Sequence, residues 1–163
     1  MYISSDTNVW IDFQDIGFLE QPFRLDHQFY LSRDAFQDEF VRSEAMKQAL
    51  LQYGLHLADV QDEEFLTATE YQVRYSRLSV YDALALAIAK NRGWILLSGD
   101  GPLRNAAATE GVECHGTIWV CDQLKQQGKV TETEYAALIE GLIRAVKCGR
   151  SRLPMSELQK RKE

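Results

Sequence analysis

Cysteine is scarce in this chain. Its three cysteines, Cys114, Cys121 and Cys148, are odd in number and form no C-x-x-C pair. A disulfide framework and a zinc site are therefore not expected, and a reducing cytoplasm is the expected compartment. Cys114-His115 with Cys121 would make a ligand set only at irregular spacing, so the pattern favours a strand cysteine and a helix cysteine packed as small hydrophobes. Three prolines and ten glycines are too few for a collagenous or low-complexity chain. Long apolar runs are missing too. The longest useful one is Trp94–Leu97, far short of the ~20 residues of a membrane span, so no membrane partner is expected. The N-terminus carries no basic segment before Asp6, so no signal peptide is expected. No G-x-G-x-x-G or G-x-x-x-x-G-K sequence occurs, which removes nucleotide binding by a Gly-rich loop. His27, His56 and His115 sit in no nucleophile context, so serine or cysteine triad chemistry has no support.

What is present is an ordinary globular composition. The chain has 163 residues, of which 45% are hydrophobic and 26% charged, enough for one domain that buries its own core without staples. Net charge is −6, which by its sum argues against a nucleic-acid partner. Its distribution says more. From Arg144 to Glu163 there are 7 basic and 2 acidic residues, whereas the preceding stretch holds 11 basic and 22 acidic. An acidic body at 1–148 thus adjoins a basic tail at 149–163, which reads either as a solvated extension or as an arm for a phosphate backbone or a partner.

Strand and helix signals alternate along the body. Tyr2–Ser5 reads as a strand, followed by a helix from Val9. Gln28–Leu31 is a second strand, and Ser32 caps a helix from Arg33 to about Gln52, with Ala35, Phe36, Phe40, Val41, Met46, Leu50 and Leu51 on one stripe. Leu55–Val60 is a strand, and Asp62-Glu63-Glu64 opens a helix that fades near Ser76. Ser79 starts the clearest helix, with Ala83, Leu84, Ala87 and Ile88 on its buried face and Gly93 at its end. Trp94–Leu97 is a continuous apolar strand of the kind covered on both faces. A helix at Leu103–Thr109, a strand at Val112–His115, a helix at Thr117–Gln127, a capping box at Thr131–Glu134 and a short tail helix near Pro154 complete the pattern. The expected fold is α/β, a three-layer α/β/α sandwich around a mainly parallel sheet.

In such sheets the functional crevice lies at the carboxyl ends of the strands. That rule selects Asp6 after the first strand and Asp100 after Trp94–Leu97. It adds Asp82, in the first turn of a helix that begins at the same edge, and Glu39, about two turns into the helix after the second strand. Asp38 and Glu44 are close rivals to Glu39. Asp38 and Glu39 lie about 100° apart on a helix, so only one of them faces the crevice. Each acid also has a structural use: Asp82 in a near capping box, Asp6 and Asp100 as N-caps, Glu39 on a solvated face. Four converging carboxylates repel one another and call for a positive partner. Hard divalent cations, Mg2+ or Mn2+, prefer such oxygen ligands and can activate water and clamp a phosphodiester. A phosphatase pattern would want a second Asp two residues after Asp6, where Asn8 stands.

The order of these acids carries a resemblance. Ser5-Asp6-Thr7-Asn8-Val9-Trp10 resembles the D-T-N opening of PIN-domain nucleases. The segment Leu78–Ala87 resembles the family's helix with its third acid, and Trp94–Asp100 its strand and S-x-D turn with the fourth. The segment Ser32–Phe40 is similar to the one carrying the second acid. The resemblance spans Tyr2 to about Lys129 and implies a metal-dependent ribonuclease, often the toxin of a toxin–antitoxin pair. It carries over Asp6, Glu39, Asp82 and Asp100 as the catalytic acids, with Asp6, Asp82 and Asp100 on the metal, Glu39 orienting or deprotonating water, and Asn8 and Ser98 orienting carboxylates through hydrogen bonds. RNA is the implied substrate, and an antitoxin protein and a homodimer are implied partners. Gly99 departs from the pattern, since many relatives carry Asn or Asp there. The other reading is a catalytically silent PIN-fold module that binds nucleic acid or protein.

Overall fold

A computed structural model describes residues 1–40 and 43–162. Five strands form one sheet in the order β3-β2-β1-β4-β5: β1 (Tyr2–Ser5), β2 (Gln28–Ser32), β3 (His56–Ala58), β4 (Ile95–Leu97) and β5 (Cys114–His115). Every neighbouring pair is parallel, with Ile3 opposite Phe29 on one side and Ile95 on the other. The chain builds outward from β1 through β2 to β3, then crosses back to place β4 on the other side of β1. Between β1 and β4 the direction of winding reverses, and a crevice opens there at the strands' carboxyl ends.

The sheet is covered on both faces because its side chains alternate. Ile3, Phe29, Leu31, Ile95 and Leu97 join one core with α1 (Thr7–Asp15), α2 (Arg33–Glu39), α3 (Glu44–Tyr53), α7 (Thr117–Gln126), α8 (Glu132–Lys147) and α9 (Met155–Lys162). Leu96 joins the second core with α4 (Asp62–Arg74), α5 (Val80–Arg92) and α6 (Gly101–Thr109). Ala83 to Ala89 are buried without a break, so α5 is enclosed between the sheet and α4. The buried hydroxyls of β1 are satisfied. Ser4 donates to the Ala85 carbonyl at 2.9 Å, and Ser5 donates to the Tyr30 carbonyl at 2.7 Å while accepting from the Trp10 indole at 2.9 Å.

The expected strand and helix sequence is present, with the termini its caps prescribe. Ser32, Ser79 and Thr131 accept from backbone N–H groups three residues on, and Gly93 ends α5 in the left-handed conformation at φ 68°. The single helix expected from Arg33 to Gln52 is instead two. α2 stops at Glu39, and Ser43 caps α3 afresh by accepting from the Met46 N–H at 3.2 Å. A second cap is the local reason for the break. Val41, expected on the apolar stripe, lies outside the described residues. On α4 the buried positions are Glu64, Ala68 and Tyr71, whereas Leu66 and Val73 face outward, Val73 at 83% exposure. The basic C-terminal segment folds back onto the body. Leu158 of α9 is buried completely, and Arg161 grips both oxygens of Asp122 at 2.8–3.1 Å. Among the described residues no helix is long and apolar enough to cross a membrane.

Candidate active site

β1 and β4 end side by side, with the Asp6 N–H donating to the Leu97 carbonyl at 2.9 Å. The next residues on each strand therefore emerge together at the crevice. Asp6 is the N-cap residue of α1 by position, yet its side chain makes no cap hydrogen bond of regular geometry. It accepts instead from the Ser98 hydroxyl at 3.0 Å. Ser98 is wholly buried, and its Oγ also accepts from the Asp100 N–H at 3.1 Å. One hydroxyl thus ties the turn after β4 to the carboxylate after β1.

Asp6 is only 6% exposed. Burial, then the negative charge of Asp82 and of Glu39, pushes its pKa up to about 7, against the pull of Ser98 and the Asn8 N–H. Asp82 is raised as well, first by burial and further by Asp100, although hydrogen bonds from Ser79 stabilise its charge. Glu39 follows the same direction through burial of its carboxyl, with Asp82 and Asp38 adding to it and Thr7 opposing. The four acids named from the sequence thus form a chain of mutual repulsion: Asp6 feels Asp82 and Glu39, Glu39 feels Asp82, and Asp82 feels Asp100.

Each carboxylate is also anchored through one oxygen. Asp82 Oδ2 accepts from the Ser79 N–H at 3.1 Å in a capping box, and Asp100 Oδ2 accepts from the Leu103 N–H at 3.0 Å as the N-cap of α6. Glu39 Oε1 accepts from the Thr7 hydroxyl at 2.6 Å. The structural and functional uses of these acids are therefore compatible, since a carboxylate has about four lone-pair sites and a cap occupies one.

The rivals of Glu39 are placed elsewhere. Asp38 Oδ2 accepts from the Tyr81 hydroxyl at 2.7 Å, and Glu44 opens α3 facing Lys47 at 3.9 Å. Asn8 is exposed on α1 and meets Asp6 through its backbone N–H. Its position lines a cavity of about 230 Å3 with Asp12, Asp100 and Arg150. Two participants escaped sequence reasoning. Thr7 is the side chain that fixes Glu39, and its signal was adjacency to Asp6 in the D-T-N triplet. Asp12, four residues after Asn8 on the same helical face, accepts from Thr117 at 2.8 Å and has its pKa raised by burial despite that bond.

Among the described residues no group of three His, Cys, Asp or Glu side chains is arranged to hold a metal ion. That excludes a ready-made protein cage of those side chains. The oxygen-only donor set and the repulsion of Asp6 by Asp82 and Glu39 fit a hard divalent cation.

A family model described as a PIN domain matches residues 2–156. No curated protein and no solved structure matches the chain.

Proposed function

Because the chain belongs to the PIN-domain family, we propose that it is a divalent-cation-dependent endoribonuclease that hydrolyses RNA phosphodiesters at the acidic crevice between β1 and β4. The observation that carries this reading is Asp6: a buried carboxylate, pushed up to about 7 by burial and by two other acids, with no cation contributing to it among the described residues. Perturbation of this size at a sheet's switch point is what a site built for an ion and a phosphate would produce.

In this reading Asp6 and Asp82 would hold hydrated Mg2+ or Mn2+, directly or through its water, with Asp100 helping to hold it. When bound, the ion supplies positive charge to the phosphate and acidifies a water. The chain's own residues do the rest. Ser98 keeps Asp6 and the Asp100 turn in fixed relation. Thr7 holds Glu39 by Oε1 and leaves Oε2 to accept a proton from the attacking water. The raised pKa of Glu39 makes it a stronger base than an ordinary surface glutamate. Asn8, which lines the adjoining cavity, would orient the Asp6 carboxylate through its backbone N–H and the substrate through its amide. We further propose, on the resemblance of the D-T-N and S-x-D segments to those of toxin nucleases, a cytoplasmic role as the toxin of a toxin–antitoxin pair, in which the antitoxin closes the crevice with a cation of its own. A homodimer belongs to the same proposal.

The test is cleavage of structured and single-stranded RNAs with Mg2+ or Mn2+, beside chelator and the variants Asp6→Asn, Asp82→Asn and Asp100→Asn, each checked for folding. Cleavage abolished by chelator and by each folded variant supports the reading. In a second reading, a silent binding module, Asp82 and Asp100 serve as helix caps alone. RNA binding with no turnover under any cation would select it.

A further inference from the structure

A larger cavity, of about 380 Å3, adjoins the acidic crevice. Gly99, Arg152 and Leu153 line both this cavity and the smaller one that holds Asn8 and Asp100, so the two form one groove along the carboxyl edge of the sheet. Its volume falls within the ~300–1,000 Å3 of small-molecule sites.

The walls have a definite chemistry. Arg104 reaches across Gly116 to donate to the Ser98 carbonyl at 3.1 Å, and a Cβ at Gly116 would meet its guanidinium at 3.0 Å. Arg161 is neutralised by Asp122 and Glu157. Among the described residues neither Arg104 nor Arg152 pairs with a carboxylate. In the larger cavity Arg104 and Arg152 are thus left without a carboxylate partner among the described residues, with donors in excess of their protein partners. His115 and Trp119 add an aromatic part to the lining. The His115 ring lies on Trp119 at 4.4 Å between centroids and 9° between planes, and His27 stacks on the same indole at 5.8 Å and 15°. His115 ends β5 and Trp119 lies in the first turn of α7, so both stand at the edge where Asp100 emerges.

We propose that this cavity seats a nucleotide neighbouring the cleaved bond, its phosphate between Arg104 and Arg152 and its base against the His115–Trp119 wall. Guanidinium groups take phosphate oxygens in a fork, and an unpaired base offers a flat face to stacked rings. The identity of the ligand as part of an RNA strand rests on the ribonuclease reading. The cavity's preference for a base-bearing phosphate does not. Gly116 acts as a positioning residue: a Cβ there would stand 3.0 Å from the Arg104 guanidinium and press it away from the Ser98 carbonyl.

The experiment is equilibrium titration of the full chain in chelator with adenosine 5′-monophosphate, with inorganic phosphate, and with a short single-stranded RNA, followed by tryptophan fluorescence and calorimetry. The variants are Arg104→Gln, Arg152→Gln, Trp119→Leu and Gly116→Ala. Expected is binding of the mononucleotide more tightly than of phosphate, weakened roughly tenfold or more in each arginine variant. Gly116→Ala, which removes no charge and sits at an ordinary φ of −118°, weakens it in the same direction. In the cleavage assay the arginine variants raise KM and leave kcat within about twofold, as loss of uniform binding does. Mononucleotide binding that these variants weaken, in a protein that cleaves no RNA, upholds the cavity and sinks the nuclease reading. Metal-dependent cleavage with KM and mononucleotide binding unchanged in Arg104→Gln and Arg152→Gln overturns the cavity and leaves the nuclease standing. Phosphate and mononucleotide bound equally, with no effect of Trp119→Leu, overturns the base-stacking half.

Discussion

Replacing Asp6 by Asn is expected to make this protein more stable where most buried substitutions make one less so. The folded-state pKa of Asp6 is about 7 against a reference of 3.8. A carboxyl raised on folding contributes stability that is complete below about pH 4 and lost as pH rises through about 7. The gap of roughly three units corresponds to about 4 kcal/mol at pH 8, an upper figure, since local rearrangement and water entry relieve part of it. Asparagine keeps an oxygen to accept from Ser98, and it removes the charge that Asp82 and Glu39 oppose. Thermal unfolding in chelator at pH 8 is expected to show a gain of about 2–4 kcal/mol, or roughly 5–15 °C in Tm for a chain of this size. The gain shrinks toward zero near pH 4, where the wild-type carboxyl is protonated. Added Mg2+ raises the wild-type Tm and leaves the variant's nearly unchanged, closing the gap from the other side. An Asp6→Asn protein no more stable than wild type at pH 8, or a gap that ignores pH, would refute the electrostatic account of the crevice.

Three further outcomes follow from the contacts described. Ser98→Ala strands the Asp100 N–H and deprives Asp6 of a donor, so it should cost about 1–3 kcal/mol in chemical denaturation and lower cleavage together with stability. Glu39→Gln should reduce kcat by roughly a hundredfold with little change in unfolding midpoint, whereas Asp38→Asn, which keeps an oxygen to accept from Tyr81, should stay within about threefold of wild type. Equal losses from the two would show that the second acid is misassigned. Leu158→Ala should cost about 2–5 kcal/mol despite lying five residues from the C-terminus, because Leu158 is completely buried in the core beneath α9. A Tm unaltered by that change would mean that α9 is not part of the cooperative unit.

Much of this molecule could be read along the chain, because its signals are local. Capping residues, the apolar periodicity of α5 and the unbroken strand before Ser98 depend on neighbours within a few residues, and they set the order of elements and hence the α/β class. The acids at the ends of β1 and β4 were legible for the same reason, once a parallel sheet made strand ends the place to look. Local pattern did not reach the break at Phe40, where the apolar stripe runs on while a second cap restarts the helix. Nor did it separate Asp38 from Glu39. A helical step of 100° allows one of them inward but does not say which. Tyr81 claims Asp38 and Thr7 claims Glu39 from elements 43 and 32 residues away.

Charge shows the division most clearly. Sequence alone established an acidic body and a basic end, the latter open to two readings, a solvated extension or an arm for a phosphate backbone or a partner. Only the fold decided that Leu158 would anchor that end in the core, that Arg161 would be consumed by Asp122, and that Arg152 would face the same groove as Arg104, 48 residues earlier in the chain. The pKa of Asp6 was likewise beyond the sequence. An aspartate after a strand is unremarkable until packing removes its water and brings two other carboxylates within reach. Burial and long-range charge are properties of the assembled surface, so they come into existence only when the chain has folded.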